Sequence, residues 1–183
     1  IGLVSTPAFY FSVGHLRADG GVMVSASHNP AAYNGFKMTR RNAIPVSGDS
    51  GIMDIARMAE EKDFAPEAEG SRETFDGIPA LAAKAEFVFA GDRPIRKMKI
   101  VVDSANGMGA QYMDELFQLL DADVERMYWE FDGSFPNHEA DPFKEENTQA
   151  LQANVLEVGA DLGIALDGDG DRIFFVDNHG RRV

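Results

Sequence analysis

The sequence predicts an α/β protein with a largely parallel sheet, divided into two units. In its second half, short strand-like runs such as KIVV, DVERMYW and GIAL alternate with segments of helical periodicity. This alternation is typical of parallel strands that are joined by helices. Residues 64–79, FAPEAEGSRETFDGIP, are acidic and contain proline, glycine and few apolar side chains, so they predict a linker between the units. An apolar share of 44% is enough for a sizeable core.

The first predicted unit begins with a helix. Thr6 is the expected N-cap and Pro7 the first helical residue, because these residue types favour those positions. Apolar residues at helical spacing predict a second helix over residues 50–63. Between the helices, we expect a strand at residues 22–25 and a strand pair, or one strand with a turn at Arg41-Asn42, at residues 36–46.

The second predicted unit repeats the order of strand and helix. Its predicted elements are a helix (79–90), a strand, glycine-rich turn and helix (97–120), a strand (122–131), a helix (147–159), and a strand, acidic loop and strand (160–177). In sheets of this class, binding sites form beyond the carboxyl ends of the strands. The loops that contain Ser27 and Asp167 both follow strands, so we expect the functional site there.

Composition and charge exclude several classes of partner. The formal net charge is −13, from 17 basic and 30 acidic residues, and no basic patch interrupts it, so the surface would repel nucleic acid and anionic membranes. No apolar run approaches the ~18 residues that a membrane span needs. The absence of cysteine excludes disulfides and thiolate metal sites and fits a reducing compartment. We therefore expect a cytoplasmic protein without a nucleic-acid or membrane partner.

Both ends of the sequence lead us to expect a piece of a longer protein. The chain starts at Ile1 in the strand-like run IGLV, without an initiator methionine. It stops in FFVDNHGRRV, where Asn178-His179-Gly180 predicts a hairpin turn whose return strand has barely begun. A strand that ends there would leave backbone groups of the ladder unpaired.

Three carboxylates lie close together in the acidic run DGDGDR. Asp167, Asp169 and Asp171 are two residues apart, so an extended backbone projects them to one side, and the intervening glycines let the chain curl around one point. Two like charges ~4 Å apart repel by about 4 kcal/mol at an effective dielectric constant of about 20. The spacing therefore predicts a divalent metal site, and hard oxygen ligands favour Mg²⁺, Mn²⁺ or Ca²⁺.

Other interpretations of the acidic run fit less well. An EF-hand loop needs glycine at its sixth position and glutamate at its twelfth, where this sequence has Arg172 and Asn178. The D-x-D-x-T motif of haloacid-dehalogenase-type phosphotransferases needs threonine where Asp171 stands. A solvent-exposed acidic turn that binds no metal is the remaining alternative.

The run SASHNP follows the strand predicted at residues 22–25 and contains Ser27 and His28. A Ser-His-Asp triad does not fit, because adjacent Ser27 and His28 are expected to point apart and no G-x-S-x-G turn surrounds them. Phosphoryl transfer fits better, since it needs little beyond positioning and charge neutralisation. A phosphoserine would bring three acceptor oxygens to the metal site. These residue types are also common in turns, so a plain loop is the alternative.

Two motifs carry a family resemblance. SASHNPAAYNGFKM (25–38) and DGDGDR (167–172) together resemble the phosphoserine and metal loops of the α-D-phosphohexomutase superfamily, in its phosphomannomutase/phosphoglucomutase branch. FPNHEADPFKEEN (135–147) is similar to a segment of that family's second domain. The resemblance implies two three-layer α/β/α domains with mixed, largely parallel sheets, both incomplete. Residues 1–75 would be the C-terminal part of domain 1, and residues 76–183 a domain 2 truncated at its C-terminus.

The resemblance also implies a reaction. The phosphoserine, Ser27, gives its phosphoryl group to a hexose phosphate, and the bisphosphorylated sugar then returns its other phosphoryl group to Ser27. Mg²⁺ would be held by Asp167, Asp169, Asp171 and the Ser27 phosphate, with a hexose 1,6-bisphosphate as activator. The family's sugar-recognition and phosphate-binding loops belong to two further domains. We therefore expect this chain alone to turn over no hexose phosphate at a useful rate.

Three more residues match family positions. Lys37 matches the general acid/base, a role that needs a lowered pKa, and we expect a cation-rich, partly dry site to lower it. Arg172 matches the arginine that follows the metal acids and supports the site, and His28 matches an active-site histidine. From the residues alone, Lys37 could equally be a solvated strand lysine and His28 a turn residue.

Several functional alternatives stay open at this point. Within the superfamily, phosphoglucosamine mutase is the alternative, although the run YNGFK favours the mannose/glucose branch. From other classes, the chain could be a non-catalytic metal- or phosphate-binding homologue, or a metal-dependent phosphatase. The sequence indicates no particular oligomeric state.

Overall fold

The computed structural model describes residues 1–64, 69–91 and 96–183, which contain five α-helices and seven strands. The helices are α1 (Thr6–His15), α2 (Ile52–Glu61), α3 (Ile78–Ala90), α4 (Gly109–Phe117) and α5 (Gln149–Val158). The strands are β1 (Gly20–Val24), β2 (Phe36–Arg40), β3 (Ile44–Pro45), β4 (Met98–Asp103), β5 (Ala122–Met127), β6 (Leu162–Leu166) and β7 (Ile173–Asp177). The elements predicted from the sequence are all present, with ends that differ by a few residues.

Strands β1, β2 and β3 form an antiparallel sheet in that order. The strand pair predicted at residues 36–46 is confirmed, and a 3₁₀ turn at Arg41–Ala43 separates β2 from β3. Parallel pairing, however, was predicted for most strands, and this sheet has none among the described residues. The loop between β1 and β2 contains no helix, and a parallel connection needs a longer crossover.

The second sheet has the strand order β5-β4-β6-β7 and contains the parallel pairs. Strand β4 lies parallel to both β5 and β6, whereas β7 returns antiparallel to β6. Successive residues of β4 face opposite sides: Val101 packs with Leu151 of α5, and Val102 packs with Met113 of α4. Helices therefore cover both faces of this sheet, and the predicted three-layer α/β/α arrangement is confirmed here.

Helix α1 connects the two halves of the chain. Its buried residues Ala8, Phe9 and Val13 form one apolar cluster with Ile78 and Ala82 of α3. Because residues 65–68 of the predicted linker lie outside the described part of the chain, the domain boundary between residues 75 and 76 stays a prediction.

The prediction of Thr6 as the N-cap of α1 was wrong by one residue. Ser5 has the extended backbone of a cap, and its hydroxyl oxygen accepts a hydrogen bond from the Ala8 amide at 3.4 Å. Thr6 is the first helical residue, which leaves its side chain free for another contact. Among the described residues, no helix is long and apolar enough to cross a membrane.

The packing of α5 on the second sheet gives a direct test of this core. Leu151 is wholly buried among Val101, Val155 and Val176, so Leu151→Ala should lower the free energy of unfolding by about 2–5 kcal/mol through lost burial and a cavity. Leu156 lies on the same helix but is 58% exposed, and Leu156→Ala serves as the matched control. Urea denaturation measures both. Equal losses for the two variants would contradict the observed orientation of α5.

Candidate active site

The metal loop, residues 167–172, connects β6 to β7 at the carboxyl end of β6. Each of Asp167, Asp169 and Asp171 offers one carboxylate oxygen, and these oxygens all lie within 4.8 Å of one another. Asp167 and Asp169 are buried, with exposed fractions of 0% and 2%, whereas Asp171 lies at the rim. The convergence of the three carboxylates predicted from their spacing is therefore present in the fold.

Two glycines give the metal loop its shape. A Cβ atom on Gly168 would lie 2.4 Å from the carbonyl oxygen of Ser27, so the close approach of the two loops requires glycine there. Gly170 has a φ of +71°, a left-handed conformation that glycine adopts without strain. The expectation that the glycines let the chain curl is thus met at Gly170, whereas Gly168 allows the approach of the loop that contains Ser27.

The serine loop, residues 25–35, connects β1 to β2 and brings Ser27 to the metal loop. The Ser27 hydroxyl lies 3.1 Å from Asp167 Oδ2 and 3.0 Å from Asp169 Oδ1. The Ser27 amide donates a hydrogen bond to the hydroxyl oxygen of Ser25, and the φ of Ser27 is +55°. A non-glycine residue in this left-handed region carries backbone strain, which is common at functional positions.

One expectation about the serine loop was wrong. The Ser27 hydroxyl lies 3.2 Å from His28 Nδ1, so these adjacent side chains do not point apart. The left-handed backbone at Ser27 turns the two side chains to the same side. In the described part of the chain, His28 makes no hydrogen bond to a carboxylate, so the contact does not form a Ser-His-Asp triad.

Lys37 reaches the metal loop from β2. Its Nζ atom lies 2.6 Å from Asp169 Oδ2 and 2.7 Å from Asp171 Oδ2, and its side chain is only 23% exposed. The alternative of a solvated strand lysine is therefore wrong. Burial lowers the pKa of Lys37, but its hydrogen bonds to the two carboxylates and their negative charges outweigh burial, and the pKa is raised. The lowered pKa was expected for a site rich in cations, so that expectation stays a prediction.

Arg172, the last residue of the metal loop, holds Asp167 in place. Its Nε atom donates a hydrogen bond to Asp167 Oδ2 at 2.8 Å, while the backbone amides of Asp171 and Arg172 donate to Asp167 Oδ1. The guanidinium group also lies 3.5 Å from Asp141 and over the ring of Phe143. Its Nη2 atom is buried and has no hydrogen-bond partner among the described residues.

The two buried acids of the site differ in their electrostatics. Burial and the charge of Asp169 raise the pKa of Asp167, although the Arg172 guanidinium opposes the shift. Burial also acts to raise the pKa of Asp169, but hydrogen bonds from Lys37 and Thr6 outweigh it and lower this pKa. Buried, closely spaced carboxylate oxygens beside a hydroxyl form a set of hard donors that fits a divalent cation such as Mg²⁺.

Sequence reasoning missed three residues that contact the site. The Thr6 hydroxyl donates to Asp169 Oδ2 at 2.6 Å, and the Ser25 hydroxyl donates to the same oxygen at 3.4 Å. Asp141 lies beside Arg172, with 3.5 Å between Asp141 Oδ1 and Arg172 Nη1. Only the fold reveals these contacts, because each joins distant parts of the sequence.

The segment 135–147 contacts the end of β4 and the loop that follows it, and this loop contacts the metal loop. His138 Nε2 lies 3.0 Å from Asp103 Oδ2, and the side chain of Asn137 donates a hydrogen bond to that of Asn106. The loop after β4 in turn contacts the metal loop, since the Met108 amide donates to the carbonyl oxygen of Gly168. Segment 135–147 is thus linked to the metal loop through the loop that follows β4.

Comparisons with known proteins place the chain in a family. Residues 80–180 match the family model for phosphoglucomutase/phosphomannomutase α/β/α domain II, and residues 1–66 match the model for α/β/α domain I. The chain belongs to this family. Its membership of the α-D-phosphohexomutase superfamily, inferred above from two loops, is confirmed.

Individual relatives agree with this family. The chain is 38% identical over 190 residues to a phosphomannomutase of Escherichia coli K12, with 100% of the chain and 42% of that protein covered. It is 41% identical over 184 residues to a protein of Xanthomonas campestris named phosphohexose mutases, again with 100% of the chain and 41% of the relative covered. The chain therefore spans about two fifths of the length of these relatives.

A solved structure agrees with the fold. A phosphoglucomutase/phosphomannomutase family protein from Burkholderia thailandensis superposes with a TM-score of 0.86 at 33% identity, over 99% of this chain and 40% of that one. A Paramecium phosphoglucomutase, parafusin, shares the fold with a TM-score of 0.71 at 17% identity.

The ion pair between His138 and Asp103 predicts a pH dependence of stability. Burial lowers the pKa of His138, but the hydrogen bond to Asp103 and the charge of that carboxylate raise it above its usual value. A raised folded-state pKa stabilises the fold fully below the unfolded pKa of about 6.5, and this contribution is lost as the pH rises through the folded pKa. We expect the difference in unfolding free energy between the unsubstituted chain and His138→Gln to shrink as the pH rises through the folded-state pKa of His138.

Urea denaturation between pH 5.5 and 9 measures this difference. His179→Gln is the matched control, because His179 is exposed in the turn after β7. A difference that stays constant with pH, or the same trend in the control, would contradict the role given to the ion pair.

Proposed function

We propose that these residues form the phosphoryl-donor and metal-binding part of a phosphohexomutase of the phosphomannomutase/phosphoglucomutase type. Such an enzyme interconverts hexose 1-phosphate and hexose 6-phosphate through a phosphoserine and a bisphosphorylated sugar. The observation that carries the proposal is the position of the Ser27 hydroxyl, within 3.0–3.1 Å of two buried carboxylates of the metal loop. Family membership supplies the reaction class.

In the proposed reaction, a sugar hydroxyl attacks the phosphorus of phosphorylated Ser27. A new bond forms between phosphorus and the sugar oxygen while the bond to Ser27 Oγ breaks, so the phosphoryl group moves with no change in oxidation state. The attacking hydroxyl loses a proton and Ser27 Oγ takes one up. The second half-reaction reverses these steps at the other end of the sugar, and Ser27 is phosphorylated again.

Three side chains have proposed roles around the transferred group. Lys37 holds or moves the proton at its Nζ atom, and it must give up a proton before it can act as a base. Arg172 is fixed on Asp167, and its unpartnered Nη2 atom offers a donor to phosphate oxygens. His28, at 3.2 Å from Ser27 Oγ, offers another.

Asp167, Asp169, Asp171 and the phosphate on Ser27 are the proposed ligands of Mg²⁺. When bound, this cation would neutralise charge on the phosphoryl group in transit and engage carboxylates that otherwise hold the Lys37 proton. The chain's own contribution is to place these oxygens beside Ser27 before the substrate arrives, which lowers the cost of organising the site.

We propose mannose and glucose phosphates as substrates. Relatives named phosphomannomutase support this choice, as does a relative from Pseudomonas syringae named phosphomannomutase/phosphoglucomutase, 38% identical over 188 residues. Glucosamine phosphate is the alternative within the superfamily. A hexose 1,6-bisphosphate would prime Ser27, and the sugar phosphate is the expected small-molecule partner.

Phosphorylation of Ser27 is the first test of this proposal. Intact mass and peptide mapping should find one phosphoryl group on Ser27 in the full-length protein after incubation with glucose 1,6-bisphosphate and Mg²⁺. Ser27→Ala should carry none and should lose hexose phosphate turnover. An unmodified Ser27 under these conditions, or full turnover by Ser27→Ala, would show that this chain does not use the proposed chemistry.

Activity of the 183-residue chain by itself is the second test. We expect no useful turnover of mannose 1-phosphate, glucose 1-phosphate or glucosamine 1-phosphate, because the chain spans about two fifths of its relatives. The full-length protein should turn over the first two faster than the third. Measurable turnover of a hexose phosphate by the 183 residues alone would contradict the expectation that further domains are needed.

A further inference from the structure

Thr6 makes two hydrogen bonds to one residue of the metal loop. Its hydroxyl donates to Asp169 Oδ2 at 2.6 Å, and its backbone amide donates to the carbonyl oxygen of Asp169 at 2.8 Å. Both side chains are buried, with exposed fractions of 0% for Thr6 and 2% for Asp169. Thr6 is therefore fixed on Asp169 from the start of α1, although 163 positions separate them in the sequence.

The two oxygens of Asp169 have different partners. Oδ1 faces the Ser27 hydroxyl at 3.0 Å, while Oδ2 accepts from Thr6 at 2.6 Å and lies 2.6 Å from Lys37 Nζ. Rotation of the carboxylate group would exchange the positions of Oδ1 and Oδ2, and therefore the partners of the two oxygens. Without Thr6, Oδ2 would be held by Lys37, which must loosen its hydrogen bond to move a proton, and by the Ser25 hydroxyl at the longer distance of 3.4 Å. Thr6 has no such second task.

We propose that Thr6 is a positioning residue that fixes the carboxylate of Asp169, so that Oδ1 stays directed at Ser27 and the metal site. The inference rests on the proposed function, since that proposal makes Asp169 a metal ligand. The Thr6 hydroxyl acts through Asp169, because its recorded hydrogen-bond partners are Asp169 and, at 3.4 Å, the sulfur of Met23. Outer partners of ligating carboxylates commonly tune metal affinity.

The hydroxyl can be removed while the backbone contact is kept. Thr6→Val replaces the hydroxyl by a methyl group and leaves the amide that donates to Asp169 in place. Thr6→Ser keeps the donor and should rescue the function. Ser12→Ala is the matched control: Ser12 lies on the same helix, is 3% exposed, and donates to the carbonyl oxygen of Phe9 at 2.7 Å, away from Asp169.

The test is isothermal titration of the 183-residue chain and these variants with Mg²⁺ alone, after far-UV circular dichroism has verified folding. We expect Thr6→Val to raise the Kd for Mg²⁺ by about 10-fold or more, and Thr6→Ser and Ser12→Ala to stay close to the unsubstituted chain. If Thr6→Val does not fold, Thr6→Ala provides the same loss of the hydroxyl. In the full-length protein, Thr6→Val should lower kcat more than it changes KM, because Thr6 is 0% exposed and a buried side chain does not meet the substrate.

The outcomes separate this inference from the proposed function. An unsubstituted chain that binds no Mg²⁺ would overturn the proposed metal site and the inference with it. An unsubstituted chain that binds Mg²⁺ with the same Kd as Thr6→Val would overturn the inference alone. An equal loss in Ser12→Ala would likewise overturn it, because the effect would then be one of helix stability.

Discussion

Buried carboxylates lie close together beside one serine hydroxyl and repel each other. The rest of the site depends on how this repulsion is offset. Asp167 and Asp169 are both almost wholly buried beside Ser27, and Asp171 adds a third charge at the rim. Like charges ~4 Å apart cost about 4 kcal/mol at an effective dielectric constant of about 20. A hydrogen bond to a charged group contributes about 1.5–3 kcal/mol, so several donors are needed to hold the arrangement.

The fold supplies those donors from separate elements. Two backbone amides of the metal loop and Arg172 satisfy Asp167, whereas the donors for Asp169 come from α1, the serine loop and β2. The packing of α1 on α3 therefore does more than bury apolar surface. It fixes the start of α1 at the place where Thr6 meets the metal loop.

Local sequence patterns predicted most of the fold and the outline of the site. Alternating strands and helices indicated the second sheet, and the two-residue spacing of three acids indicated a metal loop. The contacts of Thr6 and Asp141 could not be predicted, because threonine before proline and an aspartate in a proline-containing loop are ordinary at such positions. Their partners are set by how distant elements pack.

The pKa of Lys37 shows why residue matching is incomplete without geometry. A match to a family position led to the expectation of a lowered pKa in a cation-rich site, whereas two carboxylates within 2.7 Å by themselves raise the pKa of Lys37. The same oxygens are the proposed ligands of a divalent cation. A cation bound by these oxygens would compete with Lys37 for Asp169 and Asp171, and carboxylates engaged by a cation would hold the proton less strongly. Proton release from Lys37 would then be coupled to assembly of the proposed metal site.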